Sequence, residues 1–227
     1  MNAKRIAVLA SGTGSNLVSL LDYFESLGSN APGRVVLVAS DRAQAGALQK
    51  ARDRQIETVV LRESADAVSH EILDLFAAHA IDLVVLAGYL RVIPPAVVDA
   101  YANRMVNVHP ALLPAHGGSG MYGLRVHQAV INAHEKISGA TVHVVTHELD
   151  SGPILAQWPV PVLPTDDAPD LAERVLEVEH ALYPRIVAAL AAGERDRFPV
   201  KPAAEYFANP PISADAVAGQ IDRLLAS

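Results

Sequence analysis

The sequence predicts an α/β protein whose N-terminal half is a doubly wound, mostly parallel sheet of Rossmann type, with antiparallel strand pairing in its C-terminal half. Three observations lead there. Short apolar runs alternate with helical stripes through about the first hundred residues. Those runs are continuous rather than alternating, as in strands covered on both faces. Gly-rich turns stand where a strand hands over to a helix.

The four runs are Ile6 to Ala10, Val35 to Ala39, Thr58 to Leu61 and Leu83 to Ala87. Between them Leu17, Leu20, Leu21 and Phe24 recur at helical spacing, and Val68, Ile72, Leu75, Phe76 and His79 trace a second stripe, so each marks a helix with one buried face. Right-handed crossovers close such a succession into a parallel sheet. Pro94-Pro95 opens a short helix, because proline suits a first helical turn, and Met105 to His109 follows as a fifth strand. After Pro110 the chain reads as a Gly-rich loop to Gly123, a helix from Leu124 to His134 and a strand from Ala140 to Val145. Ile154 to Val162 is a further strand that Pro159 and Pro161 confine to an edge. A long helix over 167–191 turns Leu171, Val175, Val178, Leu182 and Ile186 inward. Pro199, Pro202, Pro210 and Pro211 then punctuate a segment leading to a short helix capped by Ser213, with Val217, Ile221 and Leu224 on one side. The expected organisation is one domain over residues 1–192 and a tail over residues 193–227.

Composition narrows the chemistry. The 227 residues include no cysteine, which excludes a disulfide framework, a thiol nucleophile and a Cys-based metal site. Eighteen Lys and Arg against 25 Asp and Glu give a net charge of −7, the wrong balance for binding a nucleic-acid backbone. No secretory signal or membrane helix is legible, and a cytoplasmic protein is expected. Six of the nine histidines fall between His109 and His147, yet none follows a metal-ligand spacing on one helix face, so no metal is expected.

Three motifs remain. Ser11-Gly12-Thr13-Gly14-Ser15-Asn16 ends strand one and opens a helix, so Gly14, Ser15 and Asn16 would offer backbone N–H groups to a phosphate at a helix N-terminus. An empty turn that only caps the helix is the alternative. Leu17 stands where a dinucleotide fingerprint has its third glycine, although Asp41 could mimic that motif's ribose-binding acid. Asn107 and His109, two apart on a strand, project together at its carboxyl end, where open α/β sheets bind ligands. An amide donor beside a histidine suits acyl transfer, and an ordinary buried polar pair is the bland reading. Asp150 heads an Asp-Ser-Gly-Pro turn; its carboxylate either serves that turn or lies against His109.

Taken together, these pieces resemble the folate-dependent phosphoribosylglycinamide formyltransferase family. The resemblance rests on Ala-Ser-Gly-Thr-Gly-Ser-Asn-Leu at 10–17, Val-Val-Leu-Ala-Gly-Tyr-Leu-Arg at 84–91 and Asn-Val-His-Pro-Ala-Leu-Leu-Pro at 107–114. Gly-Ala-Thr-Val-His at 139–143, Leu-Asp-Ser-Gly-Pro at 149–153, Ile-Leu-Ala-Gln at 154–157 and Glu-His-Ala-Leu-Tyr-Pro at 179–184 extend it.

The resemblance implies transfer of a formyl group from 10-formyltetrahydrofolate to the amine of 5'-phosphoribosylglycinamide in purine biosynthesis. On it, His109 is the general acid, Asn107 the oxyanion donor and Asp150 the partner that raises the histidine pKa. Gly14, Ser15, Asn16 and Glu179 would hold the phosphoribosyl substrate. Leu90, Arg91, Val92 and Ile93, with Asn107 and the backbone of Thr146, His147, Glu148, Leu149 and Asp150, would hold the folate, with no metal. The folate-tail arginine that relatives often carry is not matched, and Arg62 is the expected substitute. Loop 115–124, with its glycines, is expected to act as a flap. His116, His127 and His134 are expected at loop and helix surfaces. Partners are small molecules, not nucleic acid or membrane, and the chain a monomer or homodimer. Alternatives are a tRNA-modifying relative, for which 35 residues after the core are too few, a formyltetrahydrofolate hydrolase, and a non-catalytic nucleotide-binding module.

Overall fold

The computed structural model describes residues 3–62, 65–202 and 214–226. The expected cap Ser213, with Pro210 and Pro211, lies outside the described residues. The seven strands are β1 (Lys4–Leu9), β2 (Gly33–Ser40), β3 (Glu57–Val60), β4 (Leu83–Leu86), β5 (Met105–His109), β6 (Ile137–Val144) and β7 (Ile154–Pro161). They form one sheet in the order β3-β2-β1-β4-β5-β6-β7. The pairs β1–β2, β1–β4, β2–β3 and β4–β5 are parallel, and β6–β7 is antiparallel, so the expected mixed α/β class holds. The helices are α1 (Ser15–Ser26), α2 (Gly46–Asp53), α3 (Ala65–Ala78), α4 (Pro95–Ala100), α5 (Leu124–Asn132), α6 (Ala168–Ala192) and α7 (Ala214–Ala226).

Two compact units divide the chain: Met1–Asn107 with Val187–Gly193, and Val108–Ile186 with Glu194–Ser227. In the first, β1 and β4 are buried on both faces, and Leu17, Leu20, Leu21 and Phe24 of α1 are buried as their spacing requires. β3 departs from the expectation of a doubly covered strand. It is the outermost strand, and its Val60 is 43% exposed.

The second unit is built around the β6–β7 hairpin. Trp158 and Val160 of β7, Ala140 and Val142 of β6, and Leu171, Val175, Leu182 and Tyr183 of α6 fill its core. Gly139 is required at its position, since a Cβ there would stand 2.1 Å from the Trp158 carbonyl oxygen. β7 is the other outer strand, as Pro159 and Pro161 predict. Beyond α6 the chain returns to it: Val200 N–H donates to the Leu155 carbonyl at 2.7 Å, and the Gln157 N–H donates to the Val200 carbonyl at 3.2 Å. Arg185 forks onto Asp222 of α7 at 2.7 and 3.2 Å, and Val217 and Ile221 of that helix are fully buried. Among the described residues no helix is long and apolar enough to cross a membrane.

Candidate active site

Strand alternation carries Asn107 and His109 to the same side of β5, at its carboxyl end. His109 is buried, and both ring nitrogens face oxygen atoms. Nδ1 lies 3.5 Å from Asp150 Oδ2, and Nε2 lies 2.9 Å from the His116 carbonyl oxygen. Asp150 reaches that position from the turn between β6 and β7, where its backbone takes a left-handed conformation with φ of 54°. The turn is drawn in tightly: a Cβ on Gly152 would stand 1.8 Å from the Val144 carbonyl oxygen, so only glycine fits. Two further groups hold the Asp150 carboxylate. Gly118 donates its N–H to Oδ2 at 2.9 Å, and His143 Nε2 lies 3.5 Å from Oδ1.

Opposing effects set the protonation of this cluster. Burial favours neutral His109, whereas the Asp150 carboxylate and the His116 carbonyl favour the imidazolium. Burial wins, with repulsion from His143 and His116 adding to it, and the pKa of His109 lies below 6.5. The Asp150 carboxylate pulls the histidine upward, in the expected sense, but desolvation outweighs it. For Asp150 burial raises the pKa, yet His143, the Gly118 N–H and His109 together hold the carboxyl below its usual range. The aspartate stays ionised beside a ring that is neutral at rest and has an acceptor in place for a second proton.

In the first unit, Gly14 caps α1 in the left-handed conformation, with φ of 80°. Its missing Cβ would come within 2.6 Å of Ala47 Cα, and Ala47 donates its N–H to the Gly12 carbonyl at 3.2 Å, so the turn is seated on α2. Ser15 and Asn16 form the first turn of α1, whose amides have no acceptor within the helix. Asp41 does not stand ready for a ribose. Ser11 donates its hydroxyl to Asp41 at 2.5 Å and accepts the Leu90 N–H at 2.9 Å, tying the ends of β1 and β2 to the segment after β4. In that segment Leu90 and Val92 are exposed and Ile93 is buried, while the Arg91 guanidinium donates to the Arg62 carbonyl at 2.9 Å. Arg62 itself meets Glu71 through its main chain at 2.8 Å and its guanidinium at 3.9 Å.

The remaining expected residues divide between turn and helix. Thr146, His147, Glu148 and Leu149 precede Asp150 in the β6–β7 turn, with Thr146 donating its hydroxyl to the Glu148 carbonyl at 3.1 Å and Leu149 exposed. Glu179 is buried on α6. Sequence reasoning missed His143 as the second partner of Asp150; its place near the end of the strand leading into that turn is the available signal. His127 is also corrected. It is 4% exposed rather than at the surface, because Val126 and Val130 turn that side of α5 inward and it follows them. Its Nδ1 has no hydrogen-bond partner, and burial drives its pKa down to about 4. Among the described residues no cluster of three or more His, Asp or Glu is arranged to hold a metal.

A family model described as formyl transferase matches residues 4–187. The chain is 41% identical over 192 residues to the chloroplastic phosphoribosylglycinamide formyltransferase of Arabidopsis thaliana, covering 82% of this chain and 65% of the plant protein. It thus spans just under two thirds of that relative. With the phosphoribosylglycinamide formyltransferase of Escherichia coli (strain K12) it shares 38% identity, over 83% of this chain and 87% of the relative. The crystal structure of glycinamide ribonucleotide transformylase 1 from Symbiobacterium toebii superposes with a TM-score of 0.77 at 38% identity, covering 84% of this chain and 89% of that one.

Proposed function

The chain belongs to the formyl transferase family, and from that premise we propose that it moves a formyl group from 10-formyltetrahydrofolate to the amine of 5'-phosphoribosylglycinamide. The buried pairing of His109 with Asp150, two residues beyond Asn107, is the observation that carries this reading. In it, residues 1–192 supply the catalytic domain and residues 193–227 a tail.

The reaction needs three things from the protein: charge stabilisation at the formyl oxygen, a route for one proton, and exclusion of water. The amine nitrogen bonds to the formyl carbon, giving a tetrahedral carbon with an oxyanion and an ammonium. Collapse then breaks the bond from that carbon to the folate nitrogen, which must leave protonated. Asn107 donates its amide to the oxyanion, a contact that strengthens as charge develops. His109 takes the ammonium proton and delivers it to the leaving nitrogen, so the proton balance closes without an external acid. Its lowered pKa suits the second step, because a more acidic imidazolium is the better donor. Asp150 orients the ring through Nδ1 and offsets part of the burial penalty; each pKa unit it contributes is worth about 1.4 kcal/mol. Nε2 is then the nitrogen that meets substrate, and loop 115–124 must release the His116 carbonyl from it, which is how the loop acts as a flap.

Gly14, Ser15 and Asn16 receive the phosphate at the N-terminus of α1, and Glu179 a polar group of the same substrate. Leu90, Arg91, Val92 and Ile93, with residues 146–150, receive the folate, and the exposure of Leu90, Val92 and Leu149 supports that assignment. The chain acts on small molecules in the cytoplasm, as a monomer or homodimer, and its −7 charge favours no nucleic-acid partner. An assay with both substrates, following tetrahydrofolate and the formylated amide, tests the reading. Tetrahydrofolate release that depends on the amine is expected; release of formate at the same rate without it identifies a hydrolase and refutes the proposal.

A further inference from the structure

Two buried polar side chains outside the assigned set face the segment that follows His109. Thr141 of β6 and Gln157 of β7 are direct cross-strand partners, 0% and 9% exposed. Thr141 Oγ1 donates to the Ala111 carbonyl at 2.6 Å and accepts the Leu113 N–H at 3.0 Å. Gln157 Nε2 donates to the Leu113 carbonyl at 2.8 Å and to Thr141 Oγ1 at 3.1 Å. Every hydrogen-bonding position of the hydroxyl is used, as is one end of the amide.

This network does work that a strand ladder cannot do. Ala111 and Leu113 belong to neither helix nor strand, so their main-chain groups need partners from elsewhere. An apolar pair on β6 and β7 would fill the same space and leave those groups unsatisfied. The network therefore fixes one conformation of the chain two to four residues beyond His109. Gln157 is also held from behind, because its own N–H donates to the Val200 carbonyl at 3.2 Å. Val200 lies outside residues 4–187, the part matched to the family.

We propose that Thr141 and Gln157 are positioning residues for His109, acting through the Ala111–Leu113 segment, and that Val200 of the tail steadies them through Gln157. The proposal rests on the formyl-transfer reading for its kinetic arm only. Thr141→Val keeps the shape and removes the hydroxyl; Gln157→Met keeps the length and removes the amide, and stands in should the first variant fold poorly. Each is expected to lower kcat about tenfold with KM for both substrates within about twofold, since small displacements of a catalytic group act on the transition state. Thr141→Ser is expected to restore the wild-type rate. Independently of turnover, NMR titration should move the His109 ring upward toward 6.5 as its enclosure loosens, and the Leu113 amide should exchange faster. Val200→Pro removes the N–H that holds the tail to the Leu155 carbonyl and so loosens the Val200 carbonyl from Gln157; combined with Gln157→Met it should lose less than the product of the two single losses.

An inactive wild type refutes the functional reading while the titration and exchange arms still judge the network. Folded variants with unchanged kcat in an active enzyme, or with unchanged His109 titration and Leu113 exchange, overturn the positioning role. Losses that multiply in the Gln157→Met/Val200→Pro pair overturn the part given to the tail.

Discussion

Replacing His127 by glutamine should flatten the response of folding stability to mild acid. In the folded chain this histidine titrates at about 4, against 6.5 when unperturbed, because burial resists its charge and His109 repels it. The folded value is the lower one, so protonation favours the unfolded chain. The contribution is fully present above 6.5 and is lost as pH falls toward 4. Between about pH 7.5 and 4.5 the two values imply a loss of roughly 2 to 3 kcal/mol from this one residue, a large share of the stability of a typical domain. Urea unfolding of wild type and His127→Gln at both pH values measures it. Wild type should lose roughly 2 to 3 kcal/mol more than the variant on acidification. Most other shifted groups cancel in the comparison: His109 and His79 are present in both proteins, and Asp150 and Asp166 titrate below 3.8. Equal losses in the two proteins would refute the reasoning, and with it the claim that His127 is buried and neutral.

Four other outcomes are expected. His109→Ala should lose most of kcat with little change in KM, and Asp150→Asn, which removes the upward pull on His109, should move the acid limb of the kcat/KM profile to lower pH; a limb that moves up or stays put contradicts the assignment. Asn107→Ala should lower the rate on the order of 10² to 10³, read in single-turnover experiments, if it donates to the oxyanion. Gly14→Ala forces a side chain within 2.6 Å of Ala47 Cα at a left-handed position, so KM for the phosphoribosyl substrate should rise more than KM for folate, and equal changes in both would count against the phosphate turn.

The parts of this fold legible in sequence are those where one local pattern had no competitor. The runs at β1, β2 and β4 are apolar enough to be strands covered on both sides, and Leu17, Leu20, Leu21 and Phe24 admit only a helix. α2 was not legible, since Ala47, Leu48 and Ala51 make only a short stripe, with one large apolar side chain, that depends on the turn at Gly14 for its packing. Thr58 to Val60 read like a core strand, because periodicity describes composition and cannot tell an outer strand from an inner one. The candidate site divides similarly. Asn107 and His109 declare themselves by two-residue spacing on one strand, whereas the approach of Asp150 depends on a hairpin turn closed by Gly152. His143 is missed, and His127 is expected at the surface, because a histidine's role is set by what its neighbours in space remove from water, and spacing along the chain carries little of that.

The return of the chain to β7 also bears on how copies of this protein keep apart. An outer strand with unpaired main-chain groups is a template on which another chain can add itself. Here Val200 takes the Leu155 carbonyl and the Gln157 N–H, and farther along Pro159 and Pro161 have no N–H to offer. Little of β7 is left for a second molecule to zip onto. By returning at Val200, the tail thus covers part of the sheet's outer edge against pairing with a further strand.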